Sequence, residues 1–235
     1  MTSRDPSKAV PPPAASEVPV VFVVDDDVSV RESLELLIAS AGWRAQTFES
    51  ALKFLDCPRV RVASCLLLDV SMPGLSGLEL QKCVASERSD MPIIFITGHG
   101  DVPTTVQAMK AGAVEFLTKP LQTEVLIGAI AGALERSRMA LEHEEELRAL
   151  RDRYASLSKR EREVMALVVV GLLNKQVGSE LGISEITVKA HRGKLMQKMH
   201  AASLPDLVIM SAHLGIQSSA LGRVGRRSIK LGMNR

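Results

Sequence analysis

An α/β doubly wound domain of five parallel strands, followed by an all-α domain of four helices, is the fold class that the sequence predicts. Three observations carry it. Between Val20 and Leu121, apolar runs of four to six residues alternate with segments of helical period, the pattern of a parallel sheet covered by helices on both faces. After Ser158 the strand signal disappears and only helical segments remain. The charge changes with it: residues 1–122 carry 11 Lys and Arg against 15 Asp and Glu, and residues 156–235 carry 13 against 5. An acidic front and a basic back in 235 residues imply two modest domains, the second with a polyanionic partner.

Each element follows from local chemistry. Residues 1–18 are polar and Pro-rich, lack the apolar core of a signal peptide, and are expected to be a disordered leader. In residues 19–122 the expected strands are VVFVV, RAQTF, CLLLD, PIIFIT and AVEFL. The helices between them are SVRESLELLIASAG, SALKFLD, SGLELQKCVASE and VPTTVQAMKAG. Ser29 with Glu32, and Ser76 with Glu79, have the spacing of a capping box, and Gly42 and Gly112 stand where helices should stop. Residues 123–156 contain no Pro and no Gly beyond Gly132, and read as the domain's last helix continuing as a helical linker. Leu134, Leu141 and Leu147 hint at a coiled-coil seam, which the Glu-rich run from Glu142 to Glu146 interrupts. No apolar run approaches the roughly 20 residues of a membrane span. Cys57, Cys65 and Cys83 show no paired spacing, so a reduced, cytoplasmic setting is expected.

The first strand ends in Asp25, Asp26 and Asp27, carboxylates that repel one another and are costly beside an apolar core. In a doubly wound sheet the residues closing each strand converge on one edge. Here those residues are Asp25 and Asp26, Asp69, Thr97, and Lys119 after the fifth strand. Three carboxylates gathered in this way call for a divalent cation, and oxygen-only ligands favour Mg²⁺. A carboxylate can also attack a phosphoryl donor and form an aspartyl-phosphate, with Thr97 and Lys119 binding the phosphoryl oxygens. Asp27 reads as a helix-entry residue rather than a ligand, and His99 as a loop residue rather than a base.

VVDDD, LLLDVSMPG, FITGHGD and FLTKP resemble the signature segments of bacterial response-regulator receiver domains, which have a flavodoxin-like fold. Asp25, Asp69, Thr97 and Lys119 follow one another at separations of 44, 28 and 22 residues, as expected for that family. The resemblance implies that Asp69 is the phosphoacceptor, assisted by Thr97 and Lys119. It implies an Mg²⁺ site in which Asp26 is a direct ligand, Asp25 a ligand through water, and Asp69 and the Ser71 main-chain carbonyl complete the set. It further makes Thr97 the switch hydroxyl, Phe116 the rotating aromatic, and Lys119-Pro120 a cis bond. A metal-dependent phosphatase with similar pocket chemistry would need a second Asp where this chain has Ser71.

In the basic domain, residues 157–216, SKREREVMALVVVG starts from a Ser158–Glu161 capping box and stops at Gly171. NKQVGSELG, ending at Gly182, is followed by a tight turn and by EITVKAHRGKLMQKM capped by Ser184. A fourth helix, capped by Ser203, lies in SLPDLVIMSAHLG. This is helix-turn-helix spacing, which places one helix in the DNA major groove. The pattern resembles the LuxR-type DNA-binding domain, joined to a receiver as in the FixJ/NarL response regulators and closest to the FixJ branch. Val188, His191, Leu195 and Met199 should face the core or the adjoining backbone, and Lys189, Arg192, Gly193 and Met196 the opposite side. Lys189 is the candidate for base-edge contact, with Ala190 and Gly193 allowing close approach. Asn174, Lys175, Thr187, His191, Arg192, Lys194 and Lys198 are candidates for phosphate contact. The tail, residues 217–235, has five basic residues and no acidic ones, and is expected to be flexible.

The functional expectation is a transcriptional regulator of a two-component system, not an enzyme in its own right. A sensor histidine kinase would phosphorylate Asp69, receivers would pair as homodimers through the fourth-helix/fifth-strand face, and the dimer would bind double-stranded promoter DNA. The alternative is a constitutive DNA-binding protein whose receiver is only structural.

Overall fold

The computed structural model describes residues 18–98 and 102–216. The leader up to residue 17, His99 and the basic tail from 217 onward lie outside the described residues. Packing divides the chain into two units, one ending at Glu142 and the other starting at His143.

In the first unit the elements are β1 (Val20–Val24), α1 (Val28–Ser40), β2 (Arg44–Phe48), α2 (Ala51–Leu55), β3 (Ser64–Asp69), α3 (Gly77–Glu87), β4 (Ile93–Thr97), α4 (Val102–Lys110) and β5 (Glu115–Thr118). The last helix, α5 (Thr123–Ala155), runs on past the division between the units. The five strands are all parallel, in the order β2-β1-β3-β4-β5. β5 starts two residues later than the apolar run suggested, leaving Ala113 and Val114 in the preceding turn.

The side-chain period of two along a strand sorts the core into two layers. Val20, Phe22, Val24, Leu66 and Leu68 pack with Phe54 of α2, Leu80 and Val84 of α3 and Ala108 of α4. Val21, Val23, Cys65 and Leu67 pack with Leu34 and Ile38 of α1 and with Leu126, Ile130 and Leu134 of α5. Both faces of β1 and β3 are therefore buried, which is why VVFVV and CLLLD read as unbroken apolar runs. Leu134 is committed to this core, so it is not part of a coiled-coil seam.

Helix starts match the sequence except at one place. Ser76 caps α3 with a full Glu79 capping box, whereas α1 is capped by Asp27, whose carboxylate accepts from the Ser29 N–H at 2.8 Å. The expected Ser29–Glu32 box is thus corrected: a carboxylate two residues upstream claims the free N–H groups first. Gly42 and Gly112 have φ of 84° and 94°, left-handed conformations that a side chain disfavours. The Lys119-Pro120 bond is cis.

The second unit is helical: the C-terminal part of α5, then α6 (Lys159–Val168), α7 (Asn174–Leu181), α8 (Glu185–Met199) and α9 (Leu204–His213). Ser158, Ser184 and Ser203 cap α6, α8 and α9. Leu150, Val164, Met165, Val168, Val177, Val188, Leu195, Met199 and Leu207 form its core. Gly178 lets α7 pack on the turn into α8, since a Cβ there would lie 2.7 Å from the Ile183 carbonyl oxygen. Among the described residues no helix is long and apolar enough to cross a membrane.

Candidate functional site

Strand register builds the acidic cleft. Val24 pairs with Leu68, so Asp25 and Asp69 are the next residues along two adjacent strands. Asp69 in turn is in register with Ile96, and Thr97 follows it. The Lys119 N–H donates to the Thr97 carbonyl at 2.8 Å, which holds the β5–α5 connection at the same edge. Asp25, Asp69 and Thr97 are buried and Asp26 is exposed.

One ammonium joins the two buried carboxylates: Lys119 Nζ lies 2.8 Å from Asp25 Oδ2 and 3.0 Å from Asp69 Oδ1. Partial burial alone would depress this lysine, but hydrogen bonds and charge from Asp25 and Asp69 outweigh it and hold its pKa above the ordinary value. Backbone donors complete the arrangement. Ser71 N–H donates to Asp69 Oδ2 at 2.7 Å, and Asp27 N–H to Asp25 Oδ1 at 2.9 Å. Lys119 thus relieves part of the mutual repulsion of Asp25 and Asp69. Among the described residues no three His, Cys, Asp or Glu side chains already converge as a metal site. The donor chemistry still suits a hard cation, since two carboxylates close enough to share an ammonium stand beside a third, Asp26, with oxygen ligands only. Phe116 is half-buried, its ring centroid 6.1 Å from that of Phe95.

Two residues at this cleft went unnoticed in the sequence. Arg31 reaches back from α1 to the Asp25 carbonyl, with Nη1 at 2.6 Å. Gly77 opens α3 directly against the Asp69 main chain, where an added Cβ would stand 2.2 Å from the Asp69 carbonyl oxygen. Neither carries a local signal, because each depends on a contact made only when strand and helix are packed.

On the second unit, α7, the turn and α8 have helix-turn-helix order. Lys175, Lys189 and Lys194 are exposed, and His191 and Thr187 are half-buried, with Thr187 Oγ1 2.8 Å from the capping Ser184 Oγ. Lys189 Nζ lies 3.2 Å from Glu185 Oε1, an exposed pair of little energetic weight that leaves the lysine available. Arg192 Nη1 donates to Asn174 Oδ1 at 3.1 Å, fixing α8 to α7. Two expectations change. Met196 is half-buried against the core instead of facing away from it. Lys198, although exposed, donates to Glu161 Oε2 at 2.8 Å and to the Ser156 carbonyl at 3.3 Å. That ion pair with a buried carboxylate competes with any phosphate contact by Lys198.

Known proteins show the same two-part plan. The family described as "Response regulator receiver domain" matches residues 21–131, and "Bacterial regulatory proteins, luxR family" matches residues 155–211. Nodulation protein W of Bradyrhizobium diazoefficiens is 50% identical over 205 residues, 87% of this chain and 90% of that protein. The chain belongs to the response regulators. The regulator is also 41% identical over 196 residues to the transcriptional regulatory protein FixJ of the same species, covering 83% of the regulator and 96% of the relative. Among solved structures, the response regulator StyR matches with a TM-score of 0.75 at 46% identity, over 83% of the regulator and 99% of that chain. Full-length FixJ from B. japonicum matches with a TM-score of 0.50 at 41% identity, over 84% and 97%. The regulator is therefore a two-component transcription regulator with a receiver and a LuxR-type DNA-binding domain.

The Lys198–Glu161 pair gives this regulator a testable property. The Lys198 ammonium holds the Glu161 carboxyl below its ordinary 4.5, against the opposing effect of burial and with help from the Ser158 N–H. A lowered folded value means that the pair's stabilisation is fully present above pH 4.5 and is lost as pH falls through that lowered value. Lys198→Met should destabilise the regulator by about 1–3 kcal/mol near neutral pH, by leaving the Glu161 carboxylate without its cation. The deficit, measured by chemical denaturation, should shrink in acid.

Proposed function

We propose that the regulator takes a phosphoryl group on Asp69 from a sensor histidine kinase, and that this controls dimerisation and binding of promoter DNA by α8. The observation that carries the reading is the setting of Asp69. Its carboxylate closes β3 at the cleft, with the Ser71 N–H on one oxygen and the Lys119 ammonium on the other. A carboxylate so placed has donors ready for the charge of a transferred phosphoryl group, and such transfer depends mainly on positioning and neutralisation.

Mg²⁺ is the cation that this donor set suits, held by Asp25, Asp26, Asp69 and the Ser71 main-chain carbonyl, where it would neutralise phosphoryl oxygens. Lys119 has a partner in Asp25 that does not depend on Asp69, so its ammonium can turn toward phosphoryl oxygens without being stranded. Thr97, at the end of β4, is the hydroxyl proposed to follow the new charge, and Phe116 the aromatic that responds to it.

The fourth-helix/fifth-strand face carries exposed Val102, Val106 and Met109 on α4, apolar surface suited to pairing with a second receiver. Pairing would bring two copies of α8 onto half-sites about one helical turn apart. There, Lys189 is proposed for base-edge contact, and Asn174, Lys175, Thr187, His191, Arg192 and Lys194 for the backbone. A cytoplasmic setting is proposed with these partners. Acetyl phosphate with Mg²⁺ tests the core of the proposal: mass spectrometry should locate one added phosphoryl group on Asp69, and the mass in solution should double. Labelling elsewhere, or a labelled monomer, would refute it.

A further inference from the structure

Helix α8 presents a stripe opposite its buried face. Val188, Leu195 and Met199 are fully buried. Ile186, Ala190, Gly193 and Gln197, which lie half a turn away at the i, i+4, i+7, i+11 spacing of one helix face, are all exposed. Ile186, in the first turn, is 80% exposed, the highest value for a large apolar side chain among the described residues.

A lone exposed apolar residue is ordinary. This one sits in an unusual setting. The next two stripe residues are Ala190 and Gly193, and a Cβ added to Gly193 would meet nothing within 4 Å. The middle of the stripe is therefore low enough for the helix to approach a surface closely. Exposed Lys189 and Lys194 flank it on either side, within a region where 13 basic residues outnumber 5 acidic ones. The whole face is thus a shallow apolar strip between two cations, complementary to a groove walled by phosphates.

We infer that Ile186 is a specificity-determining residue that packs against the C5-methyl group of a thymine in the major groove. The inference rests on the DNA-binding role proposed for α8. A recognition helix brings its N-terminal residues to the base edges, and Ile186 is the second residue of α8. Thymine alone presents a methyl group in the major groove, and apolar side chains read it by contact. The stripe offers no hydrogen-bonding side chain before Gln197, so at its N-terminal end it reads shape and apolar surface. Lys189, a quarter turn away, remains free to contact a neighbouring base edge.

The test uses the full-length regulator and double-stranded DNA. Binding sites are enriched from a randomised duplex pool, and each thymine of the selected duplex is replaced in turn by deoxyuridine, which removes only the methyl group. In the wild type, one position, or a symmetric pair, should lose affinity by about fourfold per methyl. Ile186→Ala, a change at an exposed site that favours the helix, should bind the thymine and deoxyuridine duplexes alike. Ile186→Val should restore the deoxyuridine penalty. A penalty that persists in Ile186→Ala, or no sensitive position in the wild type, overturns the assignment to Ile186 while leaving α8 as the DNA-binding helix. Enrichment of no duplex at all, with acetyl phosphate and Mg²⁺ present, overturns the DNA-binding role of α8 and the inference with it.

Discussion

Asp69→Asn is expected to take up no phosphoryl group from acetyl phosphate and to bind DNA with the same affinity whether or not the donor is present. The substitution removes the nucleophilic oxygen while nearly preserving shape. It also conflicts with the neighbouring donors: Asp69 accepts from Ser71 N–H on one oxygen and from Lys119 on the other. An amide NH₂ must face one of those donors in either orientation, so a cost of about 1–3 kcal/mol in stability should accompany the loss of labelling. Labelling by mass spectrometry and DNA titration with and without donor check both parts. Equal gains in DNA affinity for wild type and Asp69→Asn on adding the donor would remove Asp69 from the switch. A wild type that ignores the donor would make the receiver a scaffold only.

The second large effect is expected from Gly77→Ala, a change of one methyl group outside the set of charged residues. The new Cβ would stand 2.2 Å from the Asp69 carbonyl oxygen and 3.1 Å from the Val70 Cα. Both obstacles are backbone, so the start of α3 and the end of β3 must move apart. Overpacking of this kind costs roughly 1–3 kcal/mol, more than the ~1 kcal/mol that Ala gains over Gly in a helix. A shift of Asp69 by about 1 Å should slow phosphoryl uptake on the order of 10²-fold. Gly132→Ala, where the Cβ meets nothing, is the control and should leave both quantities intact or slightly raise stability. Labelling of Gly77→Ala at the wild-type rate would show that α3 yields without disturbing the site.

What could be read from the sequence is what depends on local order. The residues closing β1, β3 and β4 meet because parallel strands end at one edge, so Asp25, Asp69 and Thr97 were legible as a group. Caps at Ser76, Ser158, Ser184 and Ser203 were legible because a cap and the N–H it accepts from lie within four residues. The failures have one physical cause. The ion pair of Lys198 was not legible because its partner, Glu161, is 37 residues away. Arg31 and Gly77 act on the main chain where β1 and β3 end, which no side-chain pattern reveals.

The sheet order has a consequence for the chain while it is being made. β1 lies between β2 and β3, and its partner on one side, Ser64–Leu68, is synthesised some forty residues later. Until then VVFVV is an uncovered, uncharged run of β-formers, the kind of segment that self-associates into intermolecular sheets. Three consecutive carboxylates at its end put mutual repulsion beside that hazard, as gatekeeper residues do. The same anions that shape the cleft of the finished protein thus protect the nascent chain from its neighbours.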